Sequence, residues 1–376
     1  VKAIGSHFLK LYESVSENGV QLYEHLYNTL LEKIQKQLVD KINRNKPGVD
    51  VWYSPAIFWP VFNKIDGPKV INVPDLVTEE FATKWGNDKE ILYSSKNCEK
   101  TIEEGKFYIT YSDYIKESLL IKKFDKKKDN IFVIPHSIND LGPYVTIKDT
   151  KGSPTGKSGV FTEQYCKNLI ESAKFNIRDL NTYIYGYNFD DVNYLFYPSQ
   201  ARPHKNLLNL IKAYEKLLRR KYVRIKLFLT CDFNTLPEVK DYIIRNRLQY
   251  DILSFYNITT KQLAALYHQA CLVVNPTLYE GGFPFTFGEG MSVGVPSVMS
   301  RIPQVCEFTD LYDLDDILFD PYDVEDITNT ILYGIENRTC ILEKEKKLYD
   351  WMKKAFENKK TGDLYVQAFS YAYENN

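Results

Sequence analysis

The segment CLVVNPTLYEGGFPFTFGEGMSVGVPSVMS, residues 271–300, constrains the fold of this chain more than any other stretch. An apolar run of strand type opens it, and a second one, PSVMS, closes it after a Gly-Val-Pro turn. Between them lies a glycine-rich loop, followed by a helix predicted from about Thr286 to Val293. Two strands joined by a crossover helix lie parallel in one sheet. The segment therefore predicts an α/β fold whose glycine loop leaves the carboxyl end of a strand, where such sheets bind ligands.

The same alternation of strand and helix patterns runs through the rest of the second half. Strands are predicted at 192–199, 223–230 and 271–277, and helices at 204–220, 259–270 and 324–337. In the first half, strands are predicted at Val49–Tyr53, at Lys69–Val73, at Lys106–Thr110 and in NIFVIP before residue 136, with a helical segment at 112–123. Both halves therefore favour Rossmann-like domains with largely parallel sheets.

Three further segments shape the predicted domain limits. Residues 7–44 form a predicted helix in which Leu22, Leu26, Leu30 and Ile34 make a buried face. Periodicity is lost over 141–190, which is interpreted as a connection or insertion that ends an N-terminal domain of residues 1–190. A donor-side domain at 191–345 and C-terminal crossover helices at 346–376 follow, the latter returning to pack on the first domain.

Composition narrows the class of partner. A formal net charge of −1 gives no indication of nucleic-acid binding. The six cysteines are scattered singly, which favours a reducing, cytoplasmic location. No apolar run approaches the ~18 residues that a membrane span needs. The lysines between 122 and 128 leave peripheral contact with an anionic membrane open, although a solvated charge run is the commoner case.

Two short segments partly match known binding motifs, but the residues around them do not fit those motifs. GSPTGKSG at 152–159 resembles a phosphate-binding P-loop, but Lys151 stands where that motif requires its first glycine. DLDD at 313–316 contains an Asp-x-Asp, yet it lies among other acids and beside no strand end. The first is interpreted as a polar loop and the second as a solvated acidic loop, so no metal site is predicted.

Two βα turns carry the predicted chemistry. SQARPHKN, residues 199–206, places Arg202 and Lys205 where helix N–H groups already favour an anion such as a diphosphate. In the glycine loop, Gly281 and Gly282 allow the backbone close to a ligand. Glu280 and Glu289 would repel a diphosphate, but a carboxylate suits the vicinal hydroxyls of a ribose or a hexose. Together these residues point to a nucleotide sugar.

These segments resemble the signature of glycosyltransferase family 4, which comprises retaining enzymes with the GT-B fold. The likeness is carried by LYEGGFPFTFGEGMSVGVPSVMSRIPQVCEF, FYPSQARPHKNLLNLIKAYEKL and DILFDPYDVEDITNTI, and is continuous from about Val192 to Asn337. It is fainter in the first half. The resemblance implies two Rossmann-like domains that face each other across a cleft, with a C-terminal helix crossing back.

The resemblance also implies roles for individual residues. Lys205 contacts the donor diphosphate, Glu289 holds the ribose, and Glu280 holds the transferred sugar with the loop amides. The catalytic set is therefore predicted as Glu280, Lys205 and Arg202, and the donor-binding set as Glu289, Gly281, Gly282, Phe283, Phe285, Thr286 and Gln200. Asp75 and His136 are predicted on the acceptor side.

The chain departs from the family pattern at three places. Eight residues separate Glu280 from Glu289, whereas the family usually has seven. Gln200 occupies the position of the usual phosphate-binding arginine, so Arg202 is predicted to substitute. Pro74-Asp75 stands where the family often has His-Asp.

The predicted activity is transfer of a hexose, with retention, from a UDP- or GDP-linked donor to a glycan, glycolipid or glycoprotein hydroxyl, without cofactor or metal. Two alternatives remain open at this point: a sugar-nucleotide-binding subunit without turnover, and a nucleotide-sugar epimerase of the same fold.

Overall fold

The computed structural model describes residues 17–45, 47–81, 83, 89–146, 158–173, 192–255 and 257–376. The chain divides into two compact units. The first is drawn from Val1–Val73, Lys89–Ile109 and Gln367–Asn376, and the second from Pro74–Asp88 and Thr110–Val366. This division does not coincide with a boundary near residue 190, and the predicted domain limits remain predictions.

The first unit contains a small parallel sheet. Its strands are β1 (Trp52–Ser54), β2 (Lys69–Asn72) and β3 (Phe107–Thr110), and its helices are α1 (Glu17–Asn45) and α3 (Lys89–Glu104). Strand β2 pairs with β1 on one side and with β3 on the other, both in parallel register. The short strands predicted at these three places are confirmed, and α3 is a helix that the sequence reading did not predict.

The prediction of a buried leucine face on α1 is wrong. Leu26, Leu30 and Ile34 are 57%, 51% and 41% exposed, and the side chain of Leu22 lies outside the described residues. The helix packs instead through Val39, which is 6% exposed. At about 100° per residue, Val39 lies roughly 140° to 180° around the helix from Ile34 and Leu30, so these residues occupy the side away from the packed one.

The C-terminal helix, α13 (Asn358–Glu374), begins in the second unit and ends in the first. Within the first unit, the Phe369 ring lies 5.4 Å from Tyr53. Tyr371 meets Phe107 edge to face at 6.0 Å. These contacts confirm the prediction that the C-terminal helix returns to the N-terminal unit.

The second unit is built around a six-stranded parallel sheet of strand order β10-β9-β8-β5-β6-β7. Its strands are β5 (Tyr194–Tyr197), β6 (Lys226–Leu229), β7 (Ile252–Ser254), β8 (Leu272–Asn275), β9 (Ser297–Ser300) and β10 (Leu318–Phe319). A further short strand, β4 (Ile131–Val133), precedes them in the chain, and the Ile134 N–H donates to Thr110 O beside its end.

Helices cover both faces of this sheet. The helices of the second unit are α2 (Val77–Glu80), α4 (Gly142–Val145), α5 (Ser158–Ala173), α6 (Leu207–Arg219), α7 (Pro237–Arg245), α8 (Thr260–His268), α9 (Phe285–Ser292), α10 (Pro303–Thr309), α11 (Val324–Glu336) and α12 (Arg338–Ala355). A π-helical segment spans Ile115–Ile121. Alternate residues of β5 enter two separate core clusters, with Leu195 in one and Tyr194 in the other.

The strand order places a topological switch point between β5 and β8. From β5 the chain proceeds outward through β6 and β7, then returns to β8 and proceeds the other way. The loops after β5 and after β8 therefore diverge at the carboxyl edge of the sheet, which is where open α/β sheets bind ligands. They are the two turns in which the sequence places its candidate site.

Three sequence expectations concern the remaining segments. Helix α5, packed on α8 through Cys166 and Ile170, lies inside the stretch interpreted as an aperiodic connection. The P-loop look-alike at 152–157 lies outside the described residues. In the DLDD loop, Asp315 pairs with Arg301, and Asp316 lies 2.6 Å from Lys344 Nζ. Within the described part of the chain, no helix is long and apolar enough to cross a membrane.

Candidate functional site

A cavity of about 550 Å³ opens at the switch point of the second unit. This volume falls within the range of about 300–1,000 Å³ that is usual for small-molecule sites. Eight of the residues predicted from sequence line it: Asp75, Gln200, Arg202, Lys205, Glu280, Phe285, Thr286 and Glu289. The structure therefore brings together residues that are up to 214 positions apart in the chain.

The turn after β5 is fixed to the loop after β8 by hydrogen bonds. Asn206 adopts a left-handed conformation with φ of 55°, a conformation that asparagine tolerates better than most residues. Its side-chain amide donates to Pro276 O at 3.0 Å and to Pro321 O at 2.7 Å. The Leu278 N–H donates to His204 O at 2.8 Å. The two loops thus hold their charged side chains at fixed places in the cavity.

Both cations of the turn after β5 line the cavity, but only one of them is in an ion pair within the described ranges. Lys205 Nζ lies 2.5 Å from Glu280 Oε1, and the two side chains are only 18% and 21% exposed. Arg202 is exposed and makes no ion pair with any residue that the structure describes. His204, by contrast, is buried, and burial with the nearby cations lowers its pKa to about 3. The positive charge of this turn therefore comes from Arg202 and Lys205 alone.

Glu289 is positioned by two donors from other elements. Its Oε1 accepts from Asn139 Nδ2 at 2.7 Å, and its Oε2 accepts from Tyr267 Oη on α8 at 2.6 Å. Burial raises the pKa of the carboxyl, and the two hydrogen bonds act in the opposite direction. Each oxygen keeps acceptor capacity beyond its single donor. The site therefore presents an oriented carboxylate to whatever occupies the cavity.

Helix α9 begins at the cavity with its first turn open. Pro284 is its N-cap residue and supplies no side-chain hydrogen bond. Asn275 at the end of β8 donates to Thr286 Oγ1 at 3.0 Å, which fixes the first turn against the sheet. N–H groups at an uncapped helix start, together with the helix dipole, favour an anion. The helix predicted from about Thr286 is thus confirmed.

The two loop glycines are required by close backbone approach. A Cβ on Gly281 would lie 2.2 Å from Pro74 O, and one on Gly282 would lie 2.9 Å from Tyr111 Cβ. Neither glycine lines the cavity. They serve to bring the loop against the segments 74–75 and 111–112, where Ser112 Oγ donates to Gly281 O at 2.9 Å.

Asp75 lies among the charged groups of the cavity. Its Oδ1 accepts the Val77 N–H at 3.3 Å. Burial raises its pKa, and the negative charge of Glu280 adds to that shift, whereas Lys205 and Arg202 oppose it. The cavity wall therefore carries two neighbouring acids in addition to Glu289.

The two remaining predicted residues lie beside the cavity. Phe283 is 8% exposed and packs at 5.1 Å on Phe287 in the core, a placement that does not support its predicted role in binding. His136 lies between the rings of Tyr111 and Phe285, with centroids at 3.7 and 4.6 Å. Burial lowers its pKa to about 4, so the imidazole is neutral near pH 7.

Sequence reasoning missed the two residues that hold Glu289. Tyr267 belongs to the apolar face of α8, and its pattern is that of an ordinary core residue. Asn139 lies in a loop without periodicity. Neither pattern carries a signal for this contact. In the part of the chain that the structure describes, no three His, Cys, Asp or Glu side chains group as metal ligands.

Comparison with known proteins identifies the class. Residues 186–357, somewhat under half of the chain, match the family described as glycosyl transferases group 1. No curated protein sequence matches the chain significantly.

Several solved structures share the fold. A glycosyltransferase from Rickettsia africae is 16% identical, with a TM-score of 0.61 over 91% of this chain and 81% of that one. Alr3699/HepE of Anabaena, solved with UDP-glucose, is 15% identical, with a TM-score of 0.63 over 90% and 82%. Sucrose-phosphate synthase of Thermosynechococcus elongatus is 15% identical, with a TM-score of 0.61 over 91% and 79%.

The family match and the fold together show a glycosyltransferase with the GT-B fold. Its residues 186–357 match the group 1 glycosyltransferases, and the predicted resemblance to family 4 is confirmed.

Proposed function

We propose that this glycosyltransferase moves a hexose from a UDP- or GDP-linked donor to a hydroxyl of a glycan, glycolipid or glycoprotein, with retention and without a metal. The observation that carries the proposal is the switch-point cavity itself. Two cations, an open helix start and an oriented carboxylate converge in one space of about 550 Å³. That combination matches a ligand with a diphosphate centre and hydroxyl-rich ends.

The diphosphate is assigned to Arg202, Lys205 and the start of α9. Departure of a nucleoside diphosphate places negative charge on its β-phosphate in the transition state. Fixed cations and helix N–H groups stabilise such charge without reorganising. Arg202 is exposed and has no ion pair among the described residues, so its guanidinium can donate hydrogen bonds to two phosphate oxygens. On this assignment the charge is neutralised by side chains, which is why the activity is proposed to need no metal.

Glu289 is assigned to the ribose. A carboxylate can accept hydrogen bonds from both hydroxyls of a vicinal diol, one at each oxygen. Asn139 donates one hydrogen bond to one carboxylate oxygen, and Tyr267 donates one to the other. Each oxygen can accept a further hydrogen bond from a hydroxyl of the diol. The carboxylate is thus oriented before the donor arrives, which lowers the cost of ordering on binding.

Glu280 is assigned to the hydroxyls of the transferred hexose. It is paired with Lys205 at 2.5 Å, and a diphosphate bound to that lysine would compete with the carboxylate. Released from the ammonium, Glu280 is left beside Asp75 as a hydrogen-bond acceptor for neutral hydroxyls. Because Lys205 exchanges Glu280 for the diphosphate, binding at the phosphate site makes Glu280 available at the sugar site.

The solved relatives support a nucleotide-sugar donor. The Anabaena protein was crystallised with UDP-glucose, and a TarM structure contains UDP together with α-GlcNAc-glycerol. The first supports UDP as the donor nucleotide, and the second supports a glycosylated hydroxyl compound as product. A cytoplasmic location fits the proposal, because nucleotide sugars are cytoplasmic metabolites in most cells.

The test is a donor panel. The full chain is incubated with UDP-, GDP-, ADP- and dTDP-hexoses, with and without chelator, and proton NMR follows the anomeric signals. The proposal expects release of UDP or GDP in the presence of chelator, and a new glycoside with the donor's anomeric configuration once an acceptor is supplied. Epimerised donor would instead identify an epimerase. Binding without any release, under every condition, would identify a binding subunit.

A further inference from the structure

A second large cavity, of about 650 Å³, lies wholly within the first unit. It is enclosed by α1, by α3 and by the segment that follows β1, residues 58–64. It shares no lining residue with the switch-point cavity. Its volume again falls within the range of about 300–1,000 Å³ typical of small-molecule sites.

Three aromatic side chains at this cavity remain open to solvent. Phe58, Trp59 and Tyr93 are 52%, 45% and 39% exposed, whereas the aromatics of the second unit's sheet are fully buried. The rings of Phe58 and Trp59 are 6.5 Å apart with planes at 79°. A flat ring face that is left open is a platform for the apolar face of a ligand ring, and its C–H groups meet the negative π surface.

The positive and negative charges of the side chains that line this cavity are equal in number. Three acids line the cavity, and so do three lysines: Glu32, Asp40, Glu104, Lys36, Lys64 and Lys100. A cavity for a phosphate or a metal ion would show an excess of one sign. Balanced charge with many donors and acceptors favours a neutral ligand that is rich in hydroxyls.

Some of the polar side chains that line the cavity are paired with each other, and others are available to a ligand. Tyr93 Oη donates to Glu32, and Lys64 Nζ lies 3.0 Å from Glu104. The side chains of Asp40 and Gln35, by contrast, have no hydrogen-bond partner among the residues that the structure describes. An open aromatic platform beside available carboxylate and amide groups is the arrangement that recognises a sugar ring.

We propose that this cavity binds a saccharide, and that it holds a distal part of the acceptor glycan during transfer. The saccharide assignment stands on the lining residues alone. The acceptor role rests on the proposed function. An acceptor held at such a second site would be selected by the length and shape of its glycan as well as by the reacting hydroxyl.

The test begins with the full chain on a printed glycan array, followed by calorimetric titration of the best-bound oligosaccharide. We expect Trp59→Ala to weaken that affinity by about tenfold or more, the loss of one aromatic platform, and Trp59→Phe to retain most of it. Asp40→Asn, at an exposed position where folding is not at risk, should weaken it by about fivefold. Tyr222→Ala, at an 81% exposed aromatic in the other unit, is the matched control and should have no effect.

Three results would overturn the inference: no saccharide bound by the wild-type chain, equal affinity in the wild type and Trp59→Ala, or occupation by detergent or lipid alone. Donor hydrolysis by the wild-type chain without acceptor is measured in parallel. If hydrolysis is absent while the glycan binds, the proposed function fails and the saccharide site stands. If hydrolysis is present and Trp59→Ala transfers to long and short acceptors as the wild type does, the acceptor role fails.

Discussion

Glu289→Gln should weaken donor binding while the protein becomes more stable. The carboxylate is largely buried, and burial raises its pKa, so its charge is held at a cost in the folded state. A carboxyl whose folded pKa is raised lowers stability once the pH exceeds the unfolded value, about 4.5. Glutamine removes that charge, and its amide can still accept from Asn139 and donate to Tyr267. Above about pH 5 the variant should therefore melt at a higher temperature.

The loss in donor binding follows from the change in hydrogen-bond type. A bond to a charged acceptor contributes about 1.5–3 kcal/mol, and one between neutral groups about 0.5–1.5 kcal/mol. Replacing the carboxylate at two ribose hydroxyls should then cost about 1–3 kcal/mol, or about 5- to 150-fold in affinity. The wild type should lose affinity as pH falls through the raised pKa of Glu289, and the variant should lack that dependence.

The assay is calorimetric titration with UDP or GDP from pH 5 to 8, together with thermal unfolding. Glu215→Gln is the matched control, because Glu215 also accepts from a tyrosine, Tyr242, and from a second donor, Arg219, but does not line the cavity. The reasoning is refuted if Glu289→Gln binds the nucleotide as the wild type does. It is equally refuted if affinity and stability fall together, since Glu289 would then be a structural residue.

Other predictions address the loop, the core and the second acid. Gly281→Ala should destabilise the fold in a thermal melt, because its Cβ would lie 2.2 Å from Pro74 O; Gly362→Ala, in an open helix interior, should gain about 1 kcal/mol. Burial raises the pKa of Glu345 to about 8, so stability should fall between about pH 4.5 and 8 by ~5 kcal/mol at most, and Glu345→Gln should flatten that profile in denaturant titrations. Asp75→Asn removes one negative charge from an anion site, so calorimetry should show tighter UDP or GDP binding at pH 7; weaker binding would show that Asp75 contacts the donor.

Local sequence patterns predicted the second unit well because its strands are continuous apolar runs of a buried parallel sheet. Strands at 194–197, 272–275 and 297–300 fall inside the predicted segments, and the positions of Lys205 and Glu280 at strand ends follow from them. The short strand β7 and helix α7 were missed, since three and nine residues carry little periodicity.

Contacts between distant segments could not be predicted in the same way. The leucine repeat of α1 has the correct period for a helix, but the period does not reveal which face of the helix packs. Likewise, nothing in the pattern of α8 indicates that Tyr267 donates to Glu289. Such pairings depend on tertiary packing. The pattern of a single sequence describes each segment but does not identify the segment that it contacts.

The most direct test of the account compares nucleotide release by the wild type, Lys205→Ala and Arg202→Ala. Each chain is given UDP-glucose and GDP-mannose with an oligosaccharide acceptor, and free UDP or GDP is measured over time. The account predicts release by the wild type and a loss of about 2–4 kcal/mol of transition-state stabilisation, or about 30- to 1,000-fold in kcat/KM, in each variant. Wild-type rates in both variants would contradict the assignment of the leaving-group site to this turn.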